Sequence, residues 1–291
     1  MLVPTPLERW QDGVYLKRED AHELGAFKWR GALPVLERWG ADVVTASTGN
    51  HGAATAWAAK RLGLQATVFV PEHASAAKLA LIRAQGADLR HEGADFDEAK
   101  DAARAFAAER GLRFFEDGDD PAQLDGYAAI GEEILEQMDE PPAALIVPLG
   151  NGALLAGVAR GLGDGVRIVG VAAEEAPVMV ESWRAGHVVE SDRCATIADG
   201  HALRVAIPRA VDWVNDAASE LLLVSEDALR QSVTRYWEAG IRAEPSAAAA
   251  LAALPRVPDR PVVLIVTGRN IDDDLLESCL AQGSSGSSSA G

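Results

Sequence analysis

Lysine is scarce in this chain. Only Lys17, Lys28, Lys60, Lys78 and Lys100 stand among 27 basic residues, so chemistry that needs a reactive amine has few candidates. Positive charge as a whole is outnumbered, 27 against 44 acidic residues, for a net charge of −17. That balance excludes a nucleic-acid backbone as partner, because its phosphates need a basic surface, and it excludes an anionic membrane surface. A small anionic ligand must then be held by local groups such as helix N-termini, backbone N–H nests or single Arg and Lys residues. Cysteine is limited to Cys194 and Cys279. The pair has no zinc-ligand spacing, and inert thiols in a reducing cytoplasm are expected. No apolar run approaches the roughly 20 residues that span a bilayer. The opening Met1-Leu2-Val3-Pro4-Thr5-Pro6 lacks the basic-then-apolar order of a signal peptide. No Gly/Pro/Ser linker separates two halves, and no short-period repeat is present. The Gly- and Ser-rich tail 283–291 is expected to be disordered.

What is present is an alternation of strands and helices. Val14–Lys17 reads as a strand after the turn-like Asp12-Gly13. Further strands are expected at 42–46, 66–70, 88–90, 113–115, 143–147, 166–171, 221–224 and 261–266. Helices fall between them, one of them capped by Ser75 and another by Ser225. Ala143–Val147 and Pro261–Val266 are continuous apolar runs, as expected of strands buried on both faces of a parallel sheet. The stretch 186–214 has little periodicity and reads as loops and short helices. The whole indicates an α/β fold with mostly parallel sheets.

Four stretches carry possible chemistry. Gly25-Ala26-Phe27-Lys28-Trp29-Arg30-Gly31 places one lysine beside an aromatic at the opening of a helix. A lysine there is either a solvated helix-start residue or, if enclosed, a Schiff-base former and proton carrier. Three strand-to-helix turns are small and polar, in the position where open parallel sheets bind ligands. Ser47-Thr48-Gly49-Asn50-His51 offers hydroxyls and N–H groups at a helix N-terminus, which suits a carboxylate. His51 itself reads as a core, loop or catalytic residue. Gly150-Asn151-Gly152-Ala153 offers unhindered N–H groups, which suits a phosphate without any basic residue. It is neither a nucleotide P-loop nor a full dinucleotide fingerprint. Thr267-Gly268-Arg269-Asn270 ends the last strand with a hydroxyl. Glu174 and Glu175 follow a strand and read as a solvated helix start or a cation ligand pair.

Taken together and in order, Gly25 to Gly31, Ser47 to Gly52, Gly150 to Gly152, Thr196-Ile197-Ala198-Asp199-Gly200, Glu244-Pro245-Ser246-Ala247 and Thr267 to Asn270 resemble the fold-type-II pyridoxal-phosphate enzymes, in the branch of the serine/threonine dehydratases, serine racemases and threonine synthases. The resemblance runs from Thr5 to Asn270. It implies two intertwined open, mostly parallel sheet domains with the cofactor in the cleft between them, a large one over 1–41 and 119–282 and a small one over 42–118. It implies that Lys28 bonds the cofactor, that Phe27 packs beside its ring, and that Asn50 binds its phenolic oxygen. Gly150, Asn151, Gly152, Ala153 and Leu154 would hold the phosphate, Thr267 the pyridine nitrogen, and Gly200 and Glu244 would line the site. Ser47, Thr48, Gly49, Asn50 and His51 would bind the substrate carboxylate, with Thr48 a second proton-transfer group.

The chain departs from the family pattern at Ala26, usually Ser, at Asn151 and Ala153, often Gly, at Thr48, which is Ser in racemases, and at Arg269, commonly Gly. Arg269 is a candidate contact for an acidic or phosphorylated substrate. Glu174 matches one ligand of a metal site known in relatives, but the accompanying Asp is missing, so no metal is expected. The implied activity is elimination of water from serine or threonine to a 2-oxo acid and ammonia, in a cytoplasmic homodimer. Replacement on a phosphohomoserine, racemisation and non-catalytic ligand binding are the alternatives.

Overall fold

A computed structural model describes residues 3–74 and 76–283 of the chain. The expected cap Ser75 and tail residues 284–291 lie outside the described residues. Contacts group the chain into two compact units, one of residues 27–126 and one of residues 1–26 with 127–291. The first takes in residues 27–41 and 119–126 as well as 42–118.

The chain begins with a hairpin of strands β1 (Leu7–Gln11) and β2 (Val14–Arg18), turned at Gly13, whose φ is +66°. The 27–126 unit then contains helix α1 (Trp29–Trp39), strand β3 (Val43–Ala46), α2 (Asn50–Leu62), β4 (Ala66–Val70), α3 (Ala76–Ala84), β5 (Asp88–His91), α4 (Phe96–Arg110) and the short β6 (Arg113–Phe114). Its four strands run parallel in the order β5-β4-β3-β6. The helices stop where the chain enters the left-handed region, at Gly40, Gly63 and Gly111, conformations that glycine adopts without a Cβ penalty. At the start of α4, Asp95 accepts from the Glu98 N–H at 3.0 Å, which satisfies one otherwise orphaned helix donor, while the Glu98 carboxylate accepts from the Ala94 N–H just before the cap at 2.8 Å. Trp29 of α1 meets Trp57 of α2 edge to face at 5.8 Å.

Helix α5 (Ala122–Gln137) leads out of that unit into the other, which continues with β7 (Ala144–Pro148), α6 (Ala153–Leu162), β8 (Arg167–Ala173), α7 (Val178–Ala185), α8 (Pro208–Ala217), β9 (Glu220–Val224), α9 (Glu226–Glu238), α10 (Pro245–Ala253), β10 (Val262–Val266) and α11 (Asp273–Gly283). The sheet order is β1-β2-β10-β7-β8-β9, parallel except for β1. Every residue of β7 and of β10 is buried, as the continuous apolar runs require. Alanine-rich α10 packs on this sheet within one core cluster that also holds Val169, Leu222, Tyr236 and Leu264. The fold is α/β, as expected.

Two elements differ from the sequence reading. β1 was not expected; it is an edge strand whose burial alternates poorly, so its sequence carries little signal. α7, a helix of 8 residues just before the low-periodicity stretch, was not expected either, whereas α8, of 10 residues, begins inside that stretch, where short helices were expected. α8 starts on Pro208 at its first turn and buries Ala210, Val211 and Val214, too short a stripe to read against the loops before it.

Candidate active site

In the 27–126 unit the site is built around Lys28, the residue before the first turn of α1. Its side chain is 16% exposed, its Nζ lies 4.9 Å from the centre of the Phe27 ring, and it donates to Asp117 Oδ2 at 2.6 Å. The solvated-surface reading of Lys28 is thereby set aside. Asp117 sits in the loop beyond β6. Its other oxygen accepts from Gln123 Nε2 at 3.2 Å and lies 3.6 Å from His51 Nδ1. Gln123 is itself fixed, because its Oε1 accepts from the Gly118 N–H at 2.9 Å. Burial opposes ionisation of Asp117, but the Lys28 ammonium and His51 outweigh it, with help from the hydrogen bonds of Lys28 and Gln123, and hold the carboxyl well below the usual carboxylate range.

His51 is buried in the first turn of α2. Its Nε2 lies 3.1 Å from Thr45 Oγ1 and 3.3 Å from the Phe115 carbonyl. A carbonyl only accepts, and Thr45 spends its own proton on the same carbonyl at 2.9 Å, so Nε2 must carry the hydrogen in this geometry. The bare nitrogen of a neutral His51 is then Nδ1, the one that faces Asp117. Burial, aided by the Lys28 ammonium and opposed by Asp117, lowers the imidazole from its ordinary value.

The remaining residues of the carboxylate-type turn stand at the carboxyl end of β3 and the N-terminus of α2. Ser47 is buried, Thr48 and Asn50 are half-buried and Gly49 is exposed. The Gly49 N–H donates to Ser47 Oγ at 3.1 Å, and a Cβ on Gly49 would meet nothing within 4 Å, so space is open above the helix end. The first N–H groups of a 13-residue helix face that space.

In the other unit, β7 and β10 are parallel neighbours with Leu264 opposite Ile146. That register brings Gly150 and Thr267 to the same end of the sheet, just past the strands' carboxyl ends. Gly150, Asn151 and Gly152 form the turn into α6, with Gly152 at φ +90°. Asn151 Oδ1 accepts from the Ala153 N–H at 3.2 Å. A Cβ on Gly150 would stand 2.2 Å from the Gly200 carbonyl oxygen, so the two backbones touch where any side chain would intrude. Ala153 and Leu154 are buried in the first turn of α6. Gly200 is anchored by its N–H, which donates to Ser246 Oγ at 3.1 Å. Glu244 is buried; its N–H donates to the Gly268 carbonyl at 3.0 Å, and a Cβ on Gly268 would fall 2.5 Å from its carboxylate. Thr267 is 3% exposed. Ala26 bridges Gly268, and the Arg269 N–H donates to the Gly25 carbonyl at 2.8 Å; these contacts fix the chain two and three residues before Lys28.

Arg269 turns out to have a local role: its guanidinium donates to the Asp20 carbonyl. Glu174 and Glu175 are exposed in the turn after β8. Sequence reading missed Asp117 and His201. The available signal for the first was the acidic run Glu116-Asp117-Gly118-Asp119-Asp120 directly after a strand of the same sheet. His201 directly follows Gly200; it is buried, and neither ring nitrogen has a hydrogen-bond partner among the described residues.

Similarity to known proteins agrees with this geometry. The L-threonine ammonia-lyase of Geobacter sulfurreducens is 35% identical over 272 residues, 89% of this chain and 67% of that protein. The structure of the processed form of threonine deaminase isoform 2 from Solanum lycopersicum superposes with a TM-score of 0.90 at 30% identity, covering 96% of this chain and 88% of that one. Maize serine racemase gives a TM-score of 0.87 at 25% identity, over 98% and 94% of the two chains. The family model described as pyridoxal-phosphate dependent enzyme matches residues 2–268, and the chain belongs to that family.

Proposed function

We propose that this protein is a pyridoxal-phosphate-dependent ammonia-lyase that removes water from serine or threonine to give a 2-oxo acid and ammonia. The observation that carries the reading is Lys28: a partly shielded amine against the Phe27 ring, in a chain 35% identical to an L-threonine ammonia-lyase. The residues present fit the cofactor of the family. The glycine contact between Gly150 and Gly200 leaves a backbone-lined turn at the N-terminus of a 10-residue helix, where a phosphate is favoured by N–H groups and helix dipole. Gly150, Asn151, Gly152, Ala153 and Leu154 would hold that phosphate. Thr267 offers the pyridine nitrogen a neutral hydroxyl, Phe27 and Gly200 would lie against the ring, Asn50 would bind the phenolic oxygen, and Glu244 would line the site.

Bound pyridoxal phosphate supplies an electron sink for the pair left on the substrate's α-carbon. The chain supplies the rest. Ser47, Thr48, Gly49, Asn50 and His51, at the positive end of α2, bind and orient the substrate carboxylate. The Lys28 amine takes the α-proton at Nζ. Departure of the β-hydroxyl as water leaves an enamine, whose hydrolysis gives the oxo acid and ammonia. Lys28→Ala is expected to abolish both the yellow absorbance of the lysine-bound cofactor and turnover, and a purified variant that stays yellow and active would sink the assignment.

The second reading is racemisation, favoured by the likeness to maize serine racemase and by a hydroxyl, Thr48, at the end of α2. Offering L-serine, L-threonine and phosphohomoserine separately, and measuring oxo acid, phosphate and chirality, separates elimination from replacement and racemisation. The homodimer and the cytoplasmic location rest on the family resemblance; sedimentation of the purified protein and fractionation of cells test them.

A further inference from the structure

We propose that Asp117 is a positioning residue for Lys28: it holds the amine in an ion pair whenever the lysine is not bonded to cofactor, and so sets how fast the lysine captures cofactor. The inference rests on the reading of Lys28 as the cofactor-bonding lysine, and it adds a group that this reading does not use.

The geometry is specific. Both oxygens of the Asp117 carboxylate are occupied, Oδ2 by Lys28 Nζ at 2.6 Å and Oδ1 by Gln123 Nε2 at 3.2 Å. Gln123 is 1% exposed and is pinned by the Gly118 N–H, so the carboxylate is held in one orientation from the α5 side. From α2, His51 presents Nδ1 at 3.6 Å from Oδ1. The neighbouring Glu116 does not compete for Lys28, because it is engaged by Lys100 at 2.6 Å and Arg104 at 2.8 Å of α4. Among the described residues, the groups facing the Asp117 carboxylate are therefore Lys28, His51 and Gln123, and only Lys28 is a fixed cation there.

The consequence follows from charge. Bonding a carbonyl takes the amine out of its ion pair at 2.6 Å, so capture works against the pull of Asp117. Once Nζ is bonded, the carboxylate loses its cation, and the nearest atom able to take a proton and restore a partner is His51 Nδ1. When substrate frees the lysine again, Asp117 offers the amine one position to return to.

The test uses the full-length protein, stripped of cofactor and then mixed with pyridoxal phosphate, with the growth of yellow absorbance followed over time. The wild type is compared with Asp117→Asn, Asp117→Ser and Asp117→Glu. The ion pair must open before the amine can bond, so the Asn and Ser variants are expected to capture cofactor about two- to fivefold faster, the range of a partly exposed pair. Asp117→Glu should restore the wild-type rate. Removing a residue that only braces the loop would slow capture or lower its amplitude. Capture no faster in Asn and Ser than in the wild type overturns the proposal. If Asn misfolds, Ser gives the same comparison. Failure of the wild type itself to turn yellow refutes the cofactor reading of Lys28, and with it this proposal, and is told apart by the absence of any signal.

Discussion

His201 provides a stability switch whose sign and size follow from its surroundings. The ring is 3% exposed, neither nitrogen has a hydrogen-bond partner among the described residues, and burial pushes its pKa down to about 4. An unfolded chain returns it to about 6.5. Between these values the unfolded state binds a proton that the folded state refuses. Stability therefore falls as pH drops through that window and is unaffected by this residue above it. Integrating the linkage gives a loss of about 2 kcal/mol between about pH 7 and about pH 5. His201→Leu keeps a similar volume and removes the titration. It also removes a buried polar ring without a partner, worth about 1–3 kcal/mol in the variant's favour at neutral pH. The assay is urea denaturation of the cofactor-free protein at the two pH values, followed by tryptophan fluorescence. The difference between variant and parent is the quantity of interest, because a chain of two compact units need not unfold in one step. The parent is expected to lose about 2 kcal/mol more than the variant on acidification. Some slope remains in the variant, because His51 is lowered too and titrates in the same direction. Parallel losses in variant and parent would refute the reasoning and mean that the ring is paired or charged in the fold.

Other expectations are equally direct. In Gly150→Ala the new Cβ would lie 2.2 Å from the Gly200 oxygen, so the two backbones must part by roughly 1 Å, at a cost of about 1–3 kcal/mol. Cofactor titration should show weakened binding, and unchanged affinity with unchanged stability would contradict the packing argument. Gly49→Ala meets no atom within 4 Å at φ −135°, so denaturation should show a loss below about 1 kcal/mol. Lys17 is fully buried and donates to Glu133 at 2.6 Å, to Gln137 at 2.9 Å and to the Thr5 carbonyl at 2.8 Å. Lys17→Met leaves the Glu133 carboxylate without that partner and should cost about 3–5 kcal/mol; a melting temperature equal to the parent's would show that the ammonium is not needed there.

How much of this was legible in the sequence depended on how local each feature is. A continuous apolar run such as Val262–Val266 reports its own burial, and a turn such as Gly150 to Ala153 carries its anion-binding geometry in consecutive residues. β1 was hidden because it is a poorly alternating edge, and the bounds of α8 because its short stripe follows aperiodic sequence. Asp117 was hidden for a different reason. It stands 89 positions from Lys28, and only the arrangement of α1, α2 and the loop after β6 brings the two within 2.6 Å. Nor could spacing show that Arg269, a charged residue in a site-like motif, spends its guanidinium on the Asp20 carbonyl.

The helix that presents Lys28 shows how such distant placement is fixed. Pro34 lies inside α1, where its missing N–H and its ring usually break a helix at a cost of about 3 kcal/mol. The helix nevertheless continues to Trp39. Pro34 has no N–H to donate to the Arg30 carbonyl four residues back, and α5 approaches that carbonyl at Gly126, where a Cβ would stand only 1.8 Å from the oxygen. A glycine there lets its Cα–H approach the carbonyl, a weak contact that offsets part of the lost bond. The position admits no larger residue without displacing one helix from the other. The same α5 carries Gln123, three residues earlier, which orients Asp117. The close crossing at Gly126 therefore ties the helix that follows Lys28 to the residue that aims its counter-ion, so a change at Gly126 should disturb the Lys28–Asp117 pair while touching neither residue.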